Sequence, residues 1–265
     1  MKEIQIEELR ELQMQILDYI DSFCRSCGIN YTISGGTLLG AVRHGGYIPW
    51  DDDIDIQMLR DDYVRFTQLW NEKREHGYYE LVNIESGNNM GYPFGKVHDK
   101  RTITYVGGVA RTGVYIDVFP VDKVIDEDDF IKRHKAVKQL YKKQFWAFAL
   151  KRDDFKQQNF IIRLFLKLFY SWKTREQYAV EINRLAQKNN STTSPYVYEM
   201  IAGQKCKRPM STDVFKTFID IKFENREYMA VSDYDTYLTA TFGNYMQLPP
   251  KEQQVRTHDF VAYWL

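Results

Sequence analysis

The chain is short of cysteine, of proline and of long apolar runs. Among 265 residues there are three cysteines and seven prolines. Three thiols make no disulfide framework, so the fold must rest on its core. Cys24 and Cys27 are spaced C-x-x-C, the pattern of a redox or zinc half-site, but no second such pair completes it. They are read as plain thiols of a reducing compartment. No stretch of about 18 apolar residues occurs, which excludes a transmembrane helix on the sequence. Met1 is followed by charged residues and not by the apolar run of a secretory signal. The expected compartment is therefore the cytoplasm. Net charge is lacking too: 36 basic and 36 acidic residues cancel. That balance argues against general polyanion binding and sets nucleic acid aside as an expected partner. Neither an internal repeat nor a low-complexity tract is visible.

What is present is globular material with an aromatic surplus. Apolar residues make up 44% and charged residues 27%, which excludes a disordered chain and allows one large domain or two small ones. Aromatics reach 15%, so some rings are candidates for stacking surfaces beyond those needed in the core. The zero net charge hides a segregation. Between Lys132 and Lys188, 15 Lys/Arg stand against four Asp/Glu, a surplus of 11, and the rest of the chain carries the opposite excess.

Leu9, Leu12, Ile16, Ile20 and Phe23 recur at three- and four-residue steps and predict a helix over 4–24, stopped by Gly28 and Asn30. A short strand over 31–34, a short helix over 37–44, an alternating strand over 53–58 and a helix over 60–76 follow. Hairpin-like pieces are expected at about 78–85, 93–98 and 102–106, then a strand over 114–119 that Pro120 ends. Residues 128–190 read as helical throughout, 191–212 as an irregular connector, and 213–265 as short strands with a helix around 234–242. The fold class is α/β, of the α+β mixed-sheet kind. Three parts are expected: a core with its N-terminal helix over 1–125, a basic helical segment over 126–190, and a C-terminal part over 191–265 that packs on the core.

Three features of the first half carry chemistry. Ser34-Gly35-Gly36-Thr37 joins a strand to a helix. Glycines there let a phosphate approach the backbone, and the helix start offers N–H donors to an anion. Trp50-Asp51-Asp52-Asp53-Ile54-Asp55-Ile56 comes next. On a strand, residues i and i+2 share a face, so Asp53 and Asp55 present two carboxylates together, with Asp51 joining them if the strand starts early. Carboxylates so close repel unless a cation lies between them. Hard oxygen ligands select Mg²⁺ or Mn²⁺. The plainer alternative is a solvated acidic turn, but the apolar alternation continues through the acids. The third feature is Tyr115-Ile116-Asp117-Val118-Phe119, one acid inside an apolar strand. A buried lone Asp is costly without a partner, and a shared metal or a structural hydrogen bond would supply one.

Strand, Gly-Gly, helix, then a strand with D-x-D and a strand with one more acid resemble the nucleotidyltransferase superfamily. The stretch from Ser34 to His44 (SGGTLLGAVRH), followed by Gly46 to Asp55 (GYIPWDDDID), is more closely similar to the LicD family of phosphotransferases. Phe94-Gly95-Lys96-Val97-His98-Asp99, Asp117-Val118-Phe119-Pro120, Phe223-Glu224 and 243–250, with Arg256 and His258 beyond, also resemble family motifs. The resemblance implies a nucleotidyltransferase-fold core with a helical insertion and a C-terminal extension. It also implies an enzyme that moves phosphocholine from CDP-choline to a sugar hydroxyl of a cell-surface glycan or teichoic acid precursor, releasing CMP. Relatives in the fukutin branch transfer ribitol phosphate, so another CDP-alcohol remains an alternative donor. An NTP-using nucleotidyltransferase and a silent nucleotide-binding protein are the rivals.

On this reading Asp53 and Asp55 hold the metal, and Asp117 either joins as a ligand or accepts the proton of the attacking hydroxyl. Ser34, Gly35, Gly36 and Thr37 form a phosphate cradle, and Arg43 and Lys96 are candidate phosphate contacts. Trp50 and His258 are candidate substrate contacts. A transferred choline would need aromatic faces around its quaternary ammonium, and Tyr47, Trp50, Tyr92, Tyr105, Tyr115 and Tyr245 lie near the motifs. The stretch 159–172 sets Phe160, Ile161, Leu164, Phe165, Leu168 and Phe169 beside Arg163 and Lys167. That pattern suits a helix resting on an anionic membrane surface at the inner face, where a lipid-linked glycan precursor would be met, and it equally suits a packed helix or a dimer face.

Overall fold

The structure is a computed structural model that describes residues 1–73, 75–106, 109–149, 172–201, 208–256 and 260–265. The basic stretch 159–171 and His258 lie outside the described residues.

The chain begins with β1 (Glu3–Ile4) and α1 (Ile6–Cys27), then β2 (Thr32–Ile33), α2 (Gly35–His44), β3 (Asp55–Leu59) and α3 (Arg60–Glu72). β4 (Tyr79–Val82), β5 (Gly95–Asp99), β6 (Thr102–Val106), β7 (Val109–Ala110) and β8 (Tyr115–Val124) follow. Next come α4 (Glu127–Ala149), α5 (Arg175–Ala186), β9 (Tyr196–Tyr198) and β10 (Met210–Ser211). The chain closes with β11 (Phe218–Phe223), β12 (Arg226–Val231), α6 (Tyr234–Phe242) and β13 (Phe260–Trp264). The mixed α/β architecture is as expected. α1 ends where glycine allows it: Gly28 takes φ +61° and its N–H closes on the Arg25 and Cys24 carbonyls. Cys24 and Cys27 are free, with Cys24 buried.

The main sheet runs β10-β9-β8-β3-β2, with β5 also on β8 and β4 on β5. β3 and β8 are parallel, with Asp55 opposite Asp117; β2 and β5 are antiparallel to their neighbours. Ile54, Ile56, Met58, Val97, Ile116 and Val118 share one core with Leu12, Ile16 and Ile20 of α1 and Phe66 and Trp70 of α3. Each such side chain contributes about 1.5–3 kcal/mol on burial. Alternation then turns Asp55, Gln57, Asp117 and Lys96 to the opposite face.

Pro120 does not end β8, contrary to the sequence expectation. β8 continues to Val124 because it changes partners there: β5 pairs with 115–118 and β9 with 122–124. The Asp117 N–H points to β3, so by alternation the missing N–H of Pro120 would have faced the gap between β5 and β9. The expected irregular connector likewise contains β9 and β10, which extend this sheet.

A second, four-stranded sheet, β1-β13-β6-β7, joins the two ends of the chain. The helical segment has its own small core, where Phe130, Val137, Ile182 and Ala186 meet Val124, Tyr198, Met200 and Ile201. It is tied to the main sheet through Arg60 of α3, which forms a buried ion pair with Asp122 of β8 and a hydrogen bond to Asn183 of α5. Arg60 donates from Nε and Nη2 to the two carboxylate oxygens of Asp122, both at 2.7 Å, and from Nη1 to Asn183 Oδ1 of α5 at 3.0 Å.

Candidate active site

The loop between α2 and β3 carries Asp51, Asp52 and Asp53, whose carboxylate oxygens lie within 4.8 Å of one another. On a strand, Asp52 would face away from its neighbours. This stretch is a loop, so three consecutive carboxylates converge. Asp52 is nearly fully buried and meets Arg256 Nε at 3.3 Å. Asp55 follows at the start of β3, with Asp117 beside it on β8. Burial, then the charges of Asp53, Asp117 and Asp51, push the Asp55 carboxyl well above the usual carboxylate range, while Lys96 opposes them. The predicted acids Asp53, Asp55 and Asp117 are thus neighbours. Asp51 and Asp52 complete the group. Asp52 carried no signal in the alternation.

α1 holds this loop in place. Arg10 Nη2 donates to the carbonyls of Ile48, Pro49 and Asp51 at 3.3, 3.2 and 2.7 Å. Gln13 Nε2 donates to the Asp52 carbonyl at 2.9 Å. From the other side, Glu224 accepts the Tyr47 N–H at 2.9 Å. No local spacing pointed to Arg10 or Gln13, because their partners lie far along the chain.

Gly35 has φ +52°, a left-handed conformation that favours glycine. Its N–H donates to the Tyr237 hydroxyl at 3.2 Å, which in turn donates to Gln57 Oε1 at 3.1 Å. Gly36 faces the Asp51 carboxylate so closely that a Cβ there would overlap Oδ2. The glycine pair therefore makes room for an acidic loop and ties α2 to α6. Thr37 Oγ1 accepts the Asp55 backbone N–H at 2.9 Å. Ser34 is fully buried, and its hydroxyl has no hydrogen-bond partner among the described residues.

Two candidate cations part company. Lys96 is buried and pairs with Asp117. Arg43 lies in the last turn of α2, away from the glycines, and its Nη1 donates to the Tyr245 and Gln247 carbonyls at 2.8 and 3.4 Å. The structure thus gives Arg43 the task of holding the 245–247 loop and shows it nowhere against the acids. The aromatic candidates also separate. Trp50 is half-buried against His44, Tyr47 lies under Arg10, Tyr105 packs on Tyr263, and Tyr245 donates to Asp235. Only Tyr92 and Tyr115 converge, and the cation between them is Lys96.

The acids, the glycine-capped helix and the parallel β3–β8 pair all fall within one recognised domain. Residues 28–162 match the family model described as LicD/FKTN/FKRP, nucleotidyltransferase domain. The whole chain is 32% identical to the lipopolysaccharide cholinephosphotransferase LicD of Haemophilus influenzae, over the full length of both. The chain belongs to the LicD family. It is accordingly a phosphotransferase. The human ribitol 5-phosphate transferase FKRP is 41% identical over 51 residues, which cover 19% of this chain and 10% of that protein. An uncharacterised protein of Rickettsia prowazekii is 48% identical over 62 residues, 23% of each chain. No helix among the described residues is long and apolar enough to cross a membrane.

Proposed function

We propose that this LicD-family enzyme transfers phosphocholine from CDP-choline to a sugar hydroxyl of a cell-surface glycan precursor, releasing CMP. The observation that carries the reading is the cluster of Asp51, Asp52 and Asp53 in the loop that leads into β3, with Asp55 and Asp117 opposite each other on the parallel strands β3 and β8. Full-length similarity to a cholinephosphotransferase supports choline over ribitol or glycerol. An acceptor linked to lipid, a cytoplasmic place and contact with an anionic membrane surface belong to the same proposal.

The donor set is all carboxylate and crowded enough to raise Asp55, which fits Mg²⁺ or Mn²⁺. Asp51, Asp53 and Asp55 would hold the ion. Once bound it supplies positive charge to the donor diphosphate. Asp117, paired with the Lys96 ammonium, takes the proton of the attacking hydroxyl. Arg10, Gln13 and Thr37 keep the acidic loop and Asp55 aligned.

CMP release tests the proposal. The protein is incubated with Mg²⁺ or Mn²⁺ and, separately, CDP-choline, CDP-ribitol, CDP-glycerol or CTP, each with a glycan-precursor acceptor. CMP from CDP-choline alone, lost on chelation, is expected. CMP from another CDP-alcohol keeps the reaction class and replaces the donor. Pyrophosphate from CTP overturns the transfer of an alcohol phosphate.

A further inference from the structure

Lys96, Asp117 and Asp55 form a row across three adjacent strands: Lys96 is opposite Asp117 in the β5–β8 pair, and Asp55 is opposite Asp117 in the β8–β3 pair. The Lys96 side chain is 3% exposed. Its ammonium pairs with Asp117 Oδ1 and lies 3.6 Å from the centre of the Tyr115 ring, 4.6 Å from Tyr92 and 5.2 Å from Phe94. Ring faces attract a cation most strongly where water is excluded, so this box replaces part of the hydration that the buried ammonium gives up. Arg175 of α5 lies 5.0 Å from the centre of the same Tyr92 ring, so the helical segment backs the box.

Such a cation has little freedom to leave. The sheet register puts its stem beside Asp117, and the rings surround its head. A second divalent ion at Asp117, at the roughly 3.5–4 Å spacing of two-metal sites, would have to share that carboxylate with the ammonium. Like charges at that distance repel.

We propose that Lys96 is a positioning residue that fills, as a fixed cation, the place beside Asp117 where a second divalent ion would bind, leaving the acidic pocket room for one ion toward Asp51, Asp53 and Asp55. The inference rests on the reading of that pocket as a divalent-cation site. It also explains why the two converging aromatic candidates are not free for a quaternary ammonium: the protein supplies their cation itself. Removing the charge leaves Asp55 and Asp117 facing each other across adjacent strands without it, a pair that draws a hard dication.

The test counts bound Mn²⁺ by electron paramagnetic resonance, with Mn²⁺ as the only added ligand. The wild type should bind one Mn²⁺ per chain that Mg²⁺ displaces. Lys96→Met, which keeps the stem in the box and removes the charge, should bind two. Lys96→Arg, which keeps a cation there, should return the count to one, and adding Asp117→Asn to Lys96→Met should do the same. Two ions on the wild type overturn the inference whether or not any variant folds. One ion on a folded Lys96→Met protein also overturns it. No ion on the wild type removes the divalent-cation reading itself, so the two failures are told apart.

Discussion

Replacing Gly36 by alanine separates the fold from the site. Gly36, unlike Gly35, lacks a positive φ, so its backbone accepts a side chain. Glycine to alanine inside a helix is favourable by up to about 1 kcal/mol. The obstacle is one carboxylate: the new methyl would overlap Asp51 Oδ2, while the Asp51 Cγ stays at an ordinary 3.6 Å. Oδ2 is the end of a flexible side chain, so it can turn away, by about 1 Å, to regain normal contact. That movement is small for the fold and large for the site. A misplacement of about 1 Å costs on the order of 100-fold in rate when a reacting group must be held in line. Gly36→Ala should therefore keep or raise the thermal midpoint, lower kcat/KM about 100-fold, and weaken Mn²⁺ binding about 10- to 100-fold. Calorimetric unfolding, CMP release and a Mn²⁺ titration read the three effects. Full activity with unchanged Mn²⁺ affinity would place Asp51 outside the working site. A fall in stability together with activity would mean that the backbone moves instead of the carboxylate.

Two further outcomes follow from buried charge. Asp122→Ala strands the Arg60 guanidinium in a site where both partners are at most 6% exposed, and should cost about 3–5 kcal/mol in urea unfolding; a loss under about 1 kcal/mol would show water reaching Arg60. The folded chain holds a proton on Asp55 more tightly than the unfolded chain does, so the metal-free protein loses stability as pH rises from about 4, the ordinary carboxylate value, through the raised one. Asp55→Asn should remove that loss, giving a metal-free variant with a higher thermal midpoint than wild type at pH 7 and an equal one near pH 4, while turnover falls about 100-fold or more. Identical pH profiles for the two proteins would refute the crowding of Asp55.

Much of this was legible in the sequence because it is local. The three- and four-residue recurrence from Leu9 to Phe23 is a property of a few consecutive turns, and α1 forms there. The period-two pattern around Asp55 and Asp117 gave both strands and the face of each acid. Pro120 misled because its effect depends on which neighbour its missing N–H would face, and that neighbour arrives from elsewhere in the chain. Asp52 was missed because alternation is a rule for strands and its segment is a loop. Arg43 and Lys96 looked alike as cations near motifs; one is tied to the 245–247 loop and the other to Asp117.

By itself, then, the sequence determined the family and the mixed α/β class and named Asp53, Asp55 and Asp117, which the fold makes neighbours, since each is written in short runs of residues whose spacing carries its own geometry. Only the tertiary structure decided what stands beside those acids. Strand order places Lys96 and Asp55 on either side of Asp117, the return of α1 puts Arg10 and Gln13 on the acidic loop, and three rings from β8 and the segment before β5 close on one ammonium. Register between strands and the packing of a helix across a sheet are relations between distant segments, selected by the burial of a whole core.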